Sequence, residues 1–234
     1  MMPDLLYIFI FSGLTILIYQ LAAKLQKLSQ KVWLNPMLLS IAIIIPLLLA
    51  FKIEYQLYAS NTSVLSRLLE PAVVALGFPL YQHLATIKRQ WFPICLTLAT
   101  ATLIALVLNY LVTIKLIALP EVAVSLSLKS ITTPIGLALT QQLNGNEAIT
   151  AIAIIIAGLV GAVIGMKWLS FIGIHSTDAQ GLAIGTASHA LGTATISQIS
   201  YRHAAYSSVA LILSAIFTAI MSPVILPFLQ SVTN

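Results

Sequence analysis

The sequence predicts an all-α membrane protein, a polytopic bundle of about seven or eight helical segments arranged as two repeats with broken or re-entrant helices. Three observations predict it. Hydrophobic residues fill 59% of the 234 positions and charged residues only 7%, whereas an average soluble domain is roughly a quarter charged. Uncharged stretches recur along the whole chain, several exceeding the roughly 20 residues a helix needs to cross a bilayer core and the others near the lower limit of about 17. Prolines and glycines interrupt two of these stretches at matching places in the two halves.

In order, the uncharged stretches are residues 5–23, 32–51, 71–87, 90–114, 130–146, 148–166, 179–201 and 203 onward. No basic residue precedes the first stretch, and Lys24, Lys27 and Lys31 follow it, so it is expected to stay as a helix and not to be cleaved as a leader. Cys95, the one cysteine, lies in an apolar run and reads as a small buried hydrophobe. The net charge of +5 is dispersed over segment ends with no aromatic–basic stripe, which argues against a nucleic-acid partner and makes the charge a topology signal. If every segment crosses, Lys24, Lys27, Lys31, Lys88, Arg89 and Arg202 share one side against Lys52, Lys115 and Lys167 on the other. The positive-inside rule then puts the N-terminus outside.

Segment starts recur at similar intervals, Val32 with Ala148, Pro71 with Ala179 and Gln90 with His203. A single integral membrane domain, 1–234, is therefore expected to divide into repeats 1–118 and 119–234. In each half the third element is the interrupted one, with Pro71, Gly77 and Pro79 in the first and Gly181, Gly185 and Gly192 in the second. Short, interrupted segments at corresponding positions are the sequence mark of a transport site. Four crossings per half would make parallel repeats, and inverted repeats need an odd number. A re-entrant element in each half, or a break hidden in 90–114, would supply it.

Three stretches carry the chemistry. A proline inside a membrane helix frees the carbonyl four residues back, so Pro71, Pro79 and Pro134 are expected as helix breaks together with Gly77, Gly185 and Gly192. In LKSITTPI, residues 128–135, Lys129, Thr132 and Thr133 share one helical face with Gly136 and Thr140, and Ser130 adjoins them. An ammonium in lipid costs at least about 2.5 kcal/mol, so Lys129 either snorkels to an interface or partners an anionic substrate. In GTASHALGTA, residues 185–194, Gly181, Gly185, Ser188 and Gly192 form a small-residue face that admits a close backbone. Beside it runs a polar line of Thr186, His189 and Thr193. His189 is expected either to bind or relay a proton at the site or to hydrogen-bond across the broken helices and hold them in place.

Enzyme activity is not expected. The acids Asp4, Glu54, Glu70, Glu121, Glu147 and Asp178 all stand at segment edges, leaving no carboxylate pair for acid–base work or for a metal. His83, His175, His189 and His203 lack ligand spacing, no phosphate loop is present, and no cofactor is implied. Glu70, directly before Pro71, is the acid nearest a helix break and a second possible proton carrier, an interfacial pair with Arg67 being the alternative.

EPAVVALGFPLY (70–81), KSITTPI (129–135) and GTASHALGTA (185–194) resemble the characteristic segments of the LrgB/CidB family, and NPMLLSI (35–41) fits its early part. The chain departs from that pattern at Glu70, Leu128 and Thr195, where the family usually has glycine, proline and a basic residue. The resemblance implies a multi-pass protein of the bacterial inner membrane. Members of the family are described as holin-like or antiholin-like modulators of murein hydrolases and autolysis, often beside a small LrgA/CidA-type membrane partner. Relatives, including a plastid branch, resemble transporters of small monocarboxylates such as pyruvate, glycolate and glycerate. Paired helix breaks favour the transporter, with Lys129, Ser130, Thr132, Thr133, Thr186, Ser188, His189 and Thr193 around a small carboxylate substrate. The modulator, acting through homo-oligomers and a partner protein, is the alternative.

Overall fold

The computed structural model describes residues 5–29, 34–68, 71, 74–75 and 77–233. Among these residues the regular structure is helical, and the chain forms two compact units, Met1–Ala75 and Leu76–Asn234.

The first unit holds α1 (Leu5–Ser29), α2 (Pro36–Ala50), α3 (Tyr55–Asn61) and α4 (Ser63–Arg67). The α1 helix is long and apolar enough to cross a membrane, whereas α2 has 15 residues. Asn35 starts α2, its side chain accepting the N–H of Met37 at 2.9 Å, and Pro36 occupies the first turn where its missing N–H costs nothing. Thr15 and Tyr58 join α1 to α3 through a 2.8 Å hydroxyl contact. Glu70 lies outside the described residues.

The second unit holds α5 (Gly77–Gln82), α6 (Leu84–Arg89), α7 (Trp91–Ile117), α8 (Pro120–Ser127), α9 (Thr133–Gln142), α10 (Glu147–Phe171), α11 (Thr177–Ser197) and α12 (Tyr201–Thr233). Gly77 opens the short α5, which carries Pro79. Helices α7, α10 and α12 are long and apolar enough to span a bilayer. The α7 helix is continuous, so 90–114 hides no break.

Two further parts of the chain, α8 with α9 and α11, fold back. Run straight, the chain would separate Glu121 from Asn146 by about 37 Å. Instead the Asn146 amide donates to Glu121 Oε1 at 3.1 Å, and its backbone N–H donates to Ser125 Oγ at 2.7 Å. Helices α8 and α9 are therefore the two arms of a hairpin, hairpin A, whose tip is 128–132. The α11 helix behaves alike. Arg202 Nε lies 2.6 Å from Asp178 Oδ1, where a straight path would leave about 36 Å. A Cβ on Gly181 or Gly185, in the first arm, would meet the carbonyls of His203 or Ser207, and Thr193, in the second, shares a 2.7 Å hydrogen bond with Ser207 Oγ. Arms 177–188 and 190–197 thus lie on the same stretch of α12 and form hairpin B. Each hairpin returns to the end of the unit from which it starts, the re-entrant alternative left open for 179–201, and 130–146 behaves likewise.

The hairpins enter from opposite faces. Tyr206 Oη donates to Gln90 at 3.4 Å near one end of α7 and α12, and Tyr110 meets Thr233 at 3.2 Å near the other, so these helices run parallel. The α10 helix starts at the base of hairpin A, where Thr150 and Thr140 hydroxyls are 2.8 Å apart, and reaches the base of hairpin B, where Gly165 faces Ile184. Hairpin A enters from the Asn146 face and hairpin B from the Gln90 face. A hairpin followed by one long apolar helix therefore occurs twice within residues 120–233, in opposite orientation. Irregular backbone is tolerated at membrane depth when it is buried in protein, and Leu128 and Ile131 of tip A are 0% and 1% exposed.

Re-entry also moves a charge. Lys88, Arg89, Lys167 and Arg202 stand toward the Gln90 face, against Lys115 toward the Asn146 face, so Lys167 joins the side from which simple alternation excluded it. By the positive-inside rule the Gln90 face is expected to be the cytoplasmic one. With Cys95 replaced by alanine, Lys167→Cys is expected to resist an impermeant maleimide in intact cells and Glu147→Cys to react. The reverse pattern would invert the topology.

Candidate functional site

Hairpin B turns at His189, whose φ of 41° and ψ of −138° interrupt otherwise helical backbone. The break thus falls at neither Gly185 nor Gly192, where sequence reasoning put it. Those glycines serve contact instead, as a Cβ on Gly185 would lie 2.3 Å from Ser207 O and one on Gly192 2.5 Å from Ser188 Cβ. His189 Nε2 is 2.9 Å from the carbonyl of Ile154 in α10. A carbonyl only accepts, so Nε2 carries the proton and donates. Gly158 leaves room for the imidazole and Gly161 for the Ser188 side chain. Thr193 Oγ1 lies 2.8 Å from His189 O, closing the turn from within.

At tip A, residues 128–132 are not helical, so Lys129, Thr132 and Thr133 do not share the helical face expected of them. Thr132 is the N-cap of α9, and its carbonyl accepts from Gly136 at 2.9 Å. Pro134 sits in the first turn of α9, where no N–H is required, so it opens a helix and does not break one. The Lys129 ammonium donates to the side-chain carbonyl of Asn109 in α7.

A cavity of about 790 Å³ lies between α7, tip A, the first arm of hairpin B and α12. Its wall follows α7 from Gln90 to Leu106, about 24 Å of helix, from the Gln90 face to the depth of the tips. At its deep end the wall residues Leu128 and Ile131 pack with Tyr110, Val124 and Leu226 into a core toward the Asn146 face. Ser130 and Thr186 line this cavity. A second cavity of about 470 Å³, bounded by α10, has Lys129 and Ser188 in its wall, and Ala183 and Ala187 are common to both.

The expected constellation is therefore divided. Thr132 and Thr133 line neither cavity, and His189 and Thr193 are buried at 4% and 0% exposure outside both linings. The Thr186–His189–Thr193 line presumed a continuous helix, and reversal at His189 sends its ends to different neighbours. Sequence reasoning missed the cavity hydroxyls of Thr102, Ser127, Ser214 and Thr218, which elements distant in sequence bring to one lining. It also missed Gly158, Gly161 and Gly165, whose spacing of three and four in AGLVGAVIG was a readable signal.

Comparison with known proteins places the chain in a family. The LrgB-like family matches the chain over residues 15–228. A protein of Haemophilus influenzae is 33% identical over 216 residues, 92% of this chain and 94% of its own. The holin-like proteins CidB of Staphylococcus epidermidis and Staphylococcus aureus are each 34% identical over 91% of this chain and 93% of theirs. No solved structure matches. Four helices long enough to cross a bilayer and a family match over nearly the whole length make this chain a multi-pass bacterial membrane protein of the LrgB-like family.

Proposed function

We propose that the protein is a secondary transporter of small monocarboxylates of the pyruvate and glycolate type. One observation carries the reading: two hairpins enter from opposite ends, and the tip of one and the first arm of the other wall a single cavity. Transporters build midplane sites from such discontinuous helices, whose free N-terminal ends favour anions. The cavity reaches the Gln90 face while a packed core closes the other, which corresponds to an inward-open state of an alternating-access cycle. Ser130 and Thr186 contact the solute, and the Lys129 ammonium offsets its charge across the thickness of tip A. His189 holds hairpin B on α10 and positions the site without entering it.

Purified protein in liposomes is expected to accumulate labelled pyruvate or glycolate saturably, and Lys129→Met to reduce uptake about tenfold. No uptake by the wild type, or equal uptake by both, would sink the reading. The name holin-like, borne by the CidB relatives, favours a second reading in which the protein, with a small membrane partner, modulates autolysis through membrane lesions. Non-saturable leakage of an unrelated dye from the same liposomes would favour it.

The cavity mouth offers a charge test. Arg202 holds Asp178 through two hydrogen bonds, Nε to Oδ1 at 2.6 Å and Nη2 to Oδ2 at 2.8 Å, and Asp178 lines the cavity. Arg202→Gln leaves a carboxylate facing an entering anion and is expected to raise KM about threefold to tenfold. Adding Asp178→Asn is expected to restore it. A double variant as impaired as the single one would assign Arg202 a different role.

A further inference from the structure

Side-chain hydroxyls in a membrane helix usually give their proton to a carbonyl of the preceding turn. Three hydroxyls of the large cavity do so: Ser127 to Ala123 O at 2.7 Å, Thr186 to Leu182 O at 2.8 Å and Ser214 to Leu211 O at 3.3 Å. Such groups offer a solute only lone pairs. Thr102 of α7 differs, being 4% exposed with an Oγ1 that has no partner. So does Ser222 of α12, fully buried and also without a partner. Of the three buried side-chain atoms left unpaired among the described residues, two belong to these helices. Thr218, 4% exposed, stands one turn before Ser222 on the same face of α12 and lines the cavity with Thr102. Buried polar groups are paired in the great majority of cases, so the unpaired hydroxyls of Thr102, in the cavity wall, and of Ser222, one turn beyond Thr218 on α12, call for an explanation.

Resting on the transport reading, we propose that this deep wall is the seat of the solute's carboxylate, with Thr102 and Thr218 as its hydrogen-bond donors and Ser222 as a further donor behind them. A carboxylate is an acceptor only, so it needs uncommitted O–H groups. Threonine in a helix has two accessible χ1 states, so one rotation carries the shielded Thr102 hydroxyl to the cavity wall in place of its methyl. Lys129 lies elsewhere, tied to Asn109, which is two turns from Thr102 along α7. It therefore acts on the bound charge at a distance and does not grip it.

Thr102→Val separates this role from a structural one, because valine keeps the shape while removing an unpaired polar atom. It is expected to unfold at a higher temperature than the wild type yet to raise KM for pyruvate and glycolate about tenfold or more, the loss of a hydrogen bond to a charged group. Thr102→Ser is expected to recover most of the affinity, and Thr218→Val to lose affinity like Thr102→Val. Wild-type KM in Thr102→Val, or a lower unfolding temperature together with lost uptake, would overturn the assignment while leaving transport intact. A wild type that neither accumulates these solutes nor is stabilised by them against heat would overturn the transport reading and this site with it. A wild-type KM in Thr102→Val coupled to a changed sodium dependence would assign the wall to a cation instead.

Discussion

Gly185→Ala is expected to destabilise the protein by about 3 kcal/mol and to loosen hairpin B from α12. The added Cβ would lie 2.3 Å from the backbone oxygen of Ser207 and 2.9 Å from both its carbonyl carbon and the Ala210 Cβ. None of these atoms yields to a rotamer change, so the arm or the helix must move. Gly13→Ala supplies the contrast, since nothing stands within 4 Å of that Cβ and removing glycine from a helix interior gains about 1 kcal/mol. Loss of helical circular dichroism on heating in detergent reads both. An unchanged Gly185→Ala midpoint would mean that arm 177–188 does not pack as described.

The second large effect concerns His189. His189→Ala is expected to cost about 3 kcal/mol, because it empties the space beside Gly158 and deletes the hydrogen bond to Ile154. His189→Gly empties the same space but relieves the strain of a φ of 41° with a ψ of −138°, worth about 1 kcal/mol or more. Glycine should therefore be the more stable of the two variants, the reverse of the ordinary helical ranking. Alanine more stable than glycine would mean that the chain is helical through 189. In the transport reading both variants also lose uptake, since the arm that ends at this turn lines the cavity.

Much of the membrane character was legible because it depends on composition and length. Lysine and arginine cluster at segment ends, and glycines at 181 and 185 announce close backbone contact, for reasons local to the chain. The polar stripes were legible only as far as the helix continued. Thr186 faces the cavity, while Thr193, seven positions on, turns to Ser207 because the chain reverses between them. Lys129 was readable as an ammonium that needs a partner at membrane depth, but Asn109 lies 20 residues away on another helix. Pro134 was read as a break because its effect depends on whether helix precedes it.

The sequence by itself determined that this is a helical membrane protein of the LrgB-like family, with its unusual chemistry gathered in 128–135 and 185–194. Apolar length and small-residue spacing act within one segment, so they can be read along one. Only the tertiary structure decided that these segments fold back, that they do so from opposite ends of the unit, and that the hydroxyls of Thr102 and Ser222 are left buried without a partner. Those facts depend on which elements meet, and a lone turn at His189 is held by contacts to α10 and α12 that no local pattern encodes.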